Sequence, residues 1–206
     1  MIHGVRLARG RAVSYRNRWV RTSTFTHDAP TEGPDGENLT AGPANTHVVR
    51  HAGRLFALVE SSYPCEITTQ LETVGSYDFD GRLRTAMTAH PKTCPTTGEL
   101  HFFGYSRRAP YVTYHRADAV GELVLSRPID VPAATMMHDF AMTAEHVVFF
   151  DLPVVPHRWS SRRSSQATSA STARSARYAS ARTADSPGVS LDHCCTERQR
   201  PKPSRT

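Results

Sequence analysis

Residues 1–155 predict an all-β body, and residues 156–206 predict a tail with no core of its own. Three observations carry this. Short runs of β-branched and aromatic residues recur in pairs around Gly, Asp or Asn. No segment keeps a helical apolar period through three turns. After Pro156 the text turns to Arg, Ser and Ala, with no Ile, Phe or Met.

In chain order, "GVRLARGRAVSYRNRW" reads as two strands about Arg9-Gly10, and "NTHVVRHAGRLFALVE" repeats the design about Ala52-Gly53. "YVTYHRADAVGELVLSRPIDV" turns across "DAVGE", and "HDFAMTAEHVVFFDLPV" turns across "TAE". Between the first two pairs, residues 23–44 are rich in Thr, Pro, Gly and acids and read as a long loop. Hairpins recurring every few tens of residues suit a β-propeller, whose blades are small antiparallel sheets; a sandwich is the alternative that periodicity leaves open.

The charge divides at the same join. Residues 1–155 hold 15 Lys/Arg against 16 Asp/Glu, and residues 156–206 hold 10 against 3. The net +6 therefore belongs to the tail, and it lends no support to a basic nucleic-acid-binding face on the body. With so little to bury, the tail is expected to be disordered. An abrupt change in mid-hairpin into Arg, Ser, Ala, Thr and Pro is also the pattern of a GC-rich coding sequence read out of frame. The competing reading is a β-rich binding module whose basic tail takes RNA or acidic partners.

The four cysteines, Cys65, Cys94, Cys194 and Cys195, show no C-x-x-C spacing, which argues against a zinc knuckle or a thioredoxin-type site. Sparse cysteine suits a reducing compartment, and "MIHGVRLARG" has no apolar signal region, so a cytoplasmic location is expected.

Eleven histidines make any single one weak evidence, and His51, His101 and His115 fall at ordinary strand positions. His90, in "TAMTAHPKTCPTTGELHFFGYS", and His138, in "PAATMMHDFAMTAEHVVFF", each stand at the start of a strand pair. Neither fits a compact metal motif such as H-E-x-x-H.

Seven blocks in order, "YRNRWVRT", "ANTHVV", "LETVGSYDF", "MTAHPK", "TGELHFFGYS", "YVTYH" and "MMHDF" followed by "VVFFDLPVV", resemble the carotenoid cleavage oxygenases, which include carotenoid, apocarotenoid and lignostilbene dioxygenases. The resemblance runs from Met1 to about Val155. It implies part of a seven-bladed β-propeller with a ferrous ion, Fe(II), on its axis, bound by four histidines from different blades. It makes His90 the first ligand and His138 the second, and Glu60, which ends "RLFALVE", the glutamate that orients His138. The implied chemistry is oxidative cleavage of a conjugated double bond by O2, in an apolar polyene or stilbene drawn from solution or by peripheral contact with a membrane. No nucleic-acid partner is implied.

Phe102, Phe103, Tyr105 and Tyr111 are candidates either for lining an apolar tunnel or for blade core. His157 and His193 lack the surroundings of the remaining ligands. On this reading the chain is an incomplete, iron-poor fragment, N- and C-terminally short of the family pattern. It is expected to fold poorly and to be inactive alone.

Overall fold

In the computed structural model, residues 1–33, 36–143, 145–151 and 177–182 are described. Strands β1 (Ile2–Ala8) and β2 (Arg11–Arg18) form a hairpin, followed by a five-residue helix α1 (Ser23–His27) and a small hairpin of β3 (Glu32–Gly33) and β4 (Gly36–Glu37). The stretch 23–44, expected as plain loop, thus contains a short helix and a two-stranded hairpin. Both are too brief for a period to show in sequence.

Two four-stranded antiparallel meanders come next. The first is β5 (His47–His51), β6 (Arg54–Leu58), β7 (Cys65–Ile67) and β8 (Thr73–Ser76). The second is β9 (Lys92–Thr93), β10 (Leu100–Tyr105), β11 (Val112–Ala117) and β12 (Leu123–Ile129). A third sheet orders β13 (Phe140–Met142), β14 (His146–Asp151) and β15 (Arg177–Arg182). These are the blades of a partial β-propeller, and in each the strands lie side by side in chain order.

The expected turns recur in place. Arg9-Gly10 and Ala52-Gly53 both take positive φ at both positions, 49° and 73° in the first and 47° and 80° in the second. Two successive left-handed residues match the twist of the strands they join. The pair β11–β12 turns between Asp118 and Glu122, and β13–β14 closes with Thr143 N–H donating to His146 O at 2.8 Å, where their sequences predict turns.

The core lies between sheets. Successive residues of β10 face opposite ways: Phe102 packs with Phe56, Phe79 and Leu123, whereas Phe103 packs with Tyr114, Phe140 and Phe149. A strand buried on both faces loses the apolar–polar alternation, hence the continuous run "LHFFGY".

Of residues 156–206, expected to be disordered, the structure describes one segment, β15. It pairs antiparallel with β14 from His146↔Arg182 to Asp151↔Arg177. Pairing of this kind needs only main-chain groups, which a sheet edge offers to any extended segment, so composition did not announce it. The rest of 156–206, the suspected frame change and "LPVV" lie outside the described residues.

Candidate metal centre

The centre is assembled just upstream of two first strands. Ahead of β9 the chain is tied down on both sides: Met87 N–H donates to Ser62 O at 3.0 Å and Thr88 N–H to Phe103 O at 2.7 Å. Met87 and Ala89 are fully buried. With its neighbours fixed, His90 emerges half-buried, its own N–H donating to Thr88 Oγ1 at 3.2 Å. Ahead of β13, buried Met137 anchors the chain and Asp139 Oδ1 accepts from Phe140 N–H at 2.8 Å, which turns His138 outward. Glu60 follows β6, whose last three residues are buried.

The two imidazoles meet. Nε2 of His90 is 3.1 Å from Nε2 of His138, and the rings stand edge to face with centroids 4.6 Å apart. Glu60 Oε1 lies 2.5 Å from Nδ1 of His138 and 3.9 Å from Nε2 of His90. That oxygen is buried and has no hydrogen-bond donor aligned on it, so the short approach to His138 is a contact of position and charge rather than a well-formed hydrogen bond. A carboxylate there favours the proton on Nδ1 and leaves the Nε2 lone pair facing His90.

One neighbour escaped the reading of the sequence. His47, the first residue of β5, donates from Nδ1 to Ala89 O at 2.8 Å, and its ring stacks on that of His90 with centroids 6.2 Å apart. Its signal lay within "ANTHVV". Tyr105 O–H reaches Glu60 Oε2 at 3.5 Å. Burial and the Glu60 charge push the Tyr105 phenol up to about 12, so it stays a donor at neutral pH.

A cavity of about 330 Å³ runs along the Glu60 side, with Tyr105, Thr135 and Met136 in its wall. Of the four aromatic candidates, Phe102 and Phe103 are blade core, Tyr111 packs half-buried against that core, and Tyr105 alone lines this cavity. His51, His101 and His115 sit buried in strands, away from the centre. His157 and His193 lie outside the described residues.

The profile of the retinal pigment epithelial membrane protein family, which comprises the carotenoid cleavage oxygenases, matches residues 1–183. The chain belongs to that family. A carotenoid cleavage oxygenase of Mycobacterium tuberculosis is 42% identical over 160 residues, covering 75% of this chain and 32% of the relative. A carotenoid 9,10(9',10')-cleavage dioxygenase of Crocus sativus is 34% identical over 186 residues, covering 75% and 34%. The crystal structure of Pseudomonas brassicacearum lignostilbene dioxygenase superposes with a TM-score of 0.63 at 33% identity, covering 74% of this chain and 35% of that one. The Synechocystis apocarotenoid oxygenase shares the fold, at a TM-score of 0.55 and 21% identity. The chain spans about a third of the length of the curated relatives it matches.

Carotenoid cleavage oxygenases are metalloenzymes, and the residues present fit a metal ion. Glu60, His90 and His138 bring one ligand atom each within 4.8 Å of one another. Two nitrogens on metal bonds of about 2.1 Å at a right angle are roughly 3.0 Å apart, close to the 3.1 Å between the imidazoles. With a lone pair on each Nε2 the two imidazoles can hold a cation between them, and without one the same distance suits an N–H···N hydrogen bond; the Glu60 oxygen with no donor aligned on it lies beside them.

Proposed function

We propose that His90 and His138 are two of the imidazole ligands of a non-haem Fe(II) dioxygenase that cleaves a conjugated carbon–carbon double bond. The substrate class is a carotenoid, apocarotenoid or stilbene-like molecule, and two carbonyl products leave. The observation that carries this reading is the 3.1 Å meeting of two imidazoles from different sheets with a buried carboxylate behind one of them. The relatives, a carotenoid cleavage oxygenase and a lignostilbene dioxygenase, suggest the substrate classes.

Neutral imidazoles suit Fe(II), and when bound the iron supplies the oxygen chemistry. The work of this chain's residues is geometric. Glu60 fixes the tautomer and aim of His138, and Tyr105 holds the second oxygen of Glu60. The buried inter-sheet core keeps both histidine loops in place, and the cavity beside Glu60 gives a molecule access to their vicinity. We place the protein in the cytoplasm, where the free thiols Cys65 and Cys94 persist, and take peripheral contact with a membrane as the route of an apolar substrate.

With two such imidazoles among the described residues, we expect this chain to hold iron weakly and to turn over no substrate alone. Titration with Co(II), a spectroscopic stand-in for Fe(II), tests the site. Binding is expected in the native chain and is lost in both His90→Ala and His138→Ala. Equal binding by either variant contradicts the assignment. Incubation with Fe(II), O2 and an apocarotenoid or a stilbene is expected to give no aldehyde beyond an iron-only control, and aldehyde above that control would show that two imidazoles suffice.

A further inference from the structure

The sheets that deliver His90 and His138 share no main-chain ladder, since β9–β12 form one and β13–β15 another. The 3.1 Å between the imidazoles therefore has to be set by side chains. One contact joins the two loops right beside the histidines. Lys92, two residues after His90, places Nζ 2.9 Å from Oδ1 of Asp139, the residue after His138.

Both partners are aimed. Asp139 Oδ1 also accepts from Phe140 N–H at 2.8 Å. Lys92 Nζ lies 5.7 Å from the centroid of the Phe140 ring, and Phe140 stands edge-on to Phe103 of β10 at 5.4 Å. The charge contact thus rests on an aromatic contact that also crosses from one sheet to the next.

We propose that the Lys92–Asp139 ion pair is a clamp between neighbouring sheets that sets the spacing of His90 and His138. Lys92 and Asp139 are positioning residues: neither touches the metal, and each acts through the histidine beside it. The proposal rests on the reading of His90 and His138 as ligands.

A surface ion pair usually contributes little to stability, and these side chains are 34% and 49% exposed. That separates the roles. A bland pair moves nothing, a structural pair moves the melting temperature, and a clamp moves metal affinity while the melting temperature stays almost still.

Lys92→Met and Asp139→Asn remove charge and keep bulk, and Asn keeps an acceptor for Phe140 N–H. Each is expected to weaken Co(II) binding by about tenfold, the lower end of what residues supporting metal ligands contribute, with Tm within about 2 °C of the parent. The double variant should be no weaker than either single one, and the reversed pair, Lys92→Asp with Asp139→Lys, should regain most of the affinity. Glu122→Gln, which breaks the exposed Arg82–Glu122 pair away from the centre, should leave affinity unchanged. Parental affinity in both single variants, or a loss matched by a fall in Tm, overturns the clamp.

A second arm needs no metal. Cross-relaxation between the ring protons of His90 and His138 should be present in the metal-free native chain and weakened in both single variants. If the native chain binds no Co(II), the ligand reading fails, and this NMR arm alone decides whether the ion pair holds the rings together.

Discussion

At the scale of the residue, the strand histidines behave unlike the pair at the centre. Burial lowers the pKa of His51, His101 and His115, in the last case to about 4. The hydrogen bonds of His115 fix its tautomer. Thr85 spends its one hydroxyl proton on Ala86 O at 2.9 Å, so it accepts from Nε2–H of His115 at 2.8 Å, and Ser126 Oγ donates to Nδ1 at 2.9 Å. Neither nitrogen is left to take a proton without breaking a bond. Because the native pKa lies below 6.5, the unfolded chain binds this proton first as pH falls. Stability is full above about pH 6.5, declines from there to about pH 4, and levels off below. For His115 alone the loss is roughly 3 kcal/mol. Urea midpoints measured at pH 7, 5 and 4 should fall in that order, with a shallower fall in His115→Gln, and pH-independent midpoints would contradict this.

At the scale of the element, Gly104 in β10 is a point of closest approach. A Cβ there would run into the Ala86 carbonyl and the Thr85 side chain, at the loop that leads to His90. Because one obstacle is backbone, Gly104→Ala should destabilise the protein by about 1–3 kcal/mol and weaken Co(II) binding in step, measured by urea unfolding and titration. A neutral effect on both would show that the loop yields. The hairpins were legible in sequence because their turns need particular residues: "RG" and "AG" announce consecutive left-handed positions, and the flanking alternation fixes the strands. β7, β8 and β9, at three, four and two residues, are too short to show a period. His90, His138 and Glu60 were picked out by resemblance and not by spacing, because they come together only through packing between sheets. His47 in "ANTHVV" and Lys92 in "MTAHPK" carry no signal of role in sequence, since each acts through a contact distant along the chain: His47 through Ala89, Lys92 through Asp139.

At the scale of the whole molecule, protection is uneven. β10 and β11 are nearly all buried between two core clusters, whereas every residue of β2 is exposed, along with Val5 and Leu7 of β1. Amide exchange should therefore be slowest in β10 and β11 and fastest in β1 and β2, with the hairpin opening well below the free energy of global unfolding. Uniform protection along the chain would mean that something covers the hairpin in solution.

Each histidine leaves the chain immediately ahead of the strand that begins its sheet. In these two sheets the imidazole is thus attached ahead of the first strand, and the described strands that follow supply neither histidine. Insertions at the later turns of these sheets would therefore lengthen loops away from the point where His90 and His138 leave the chain.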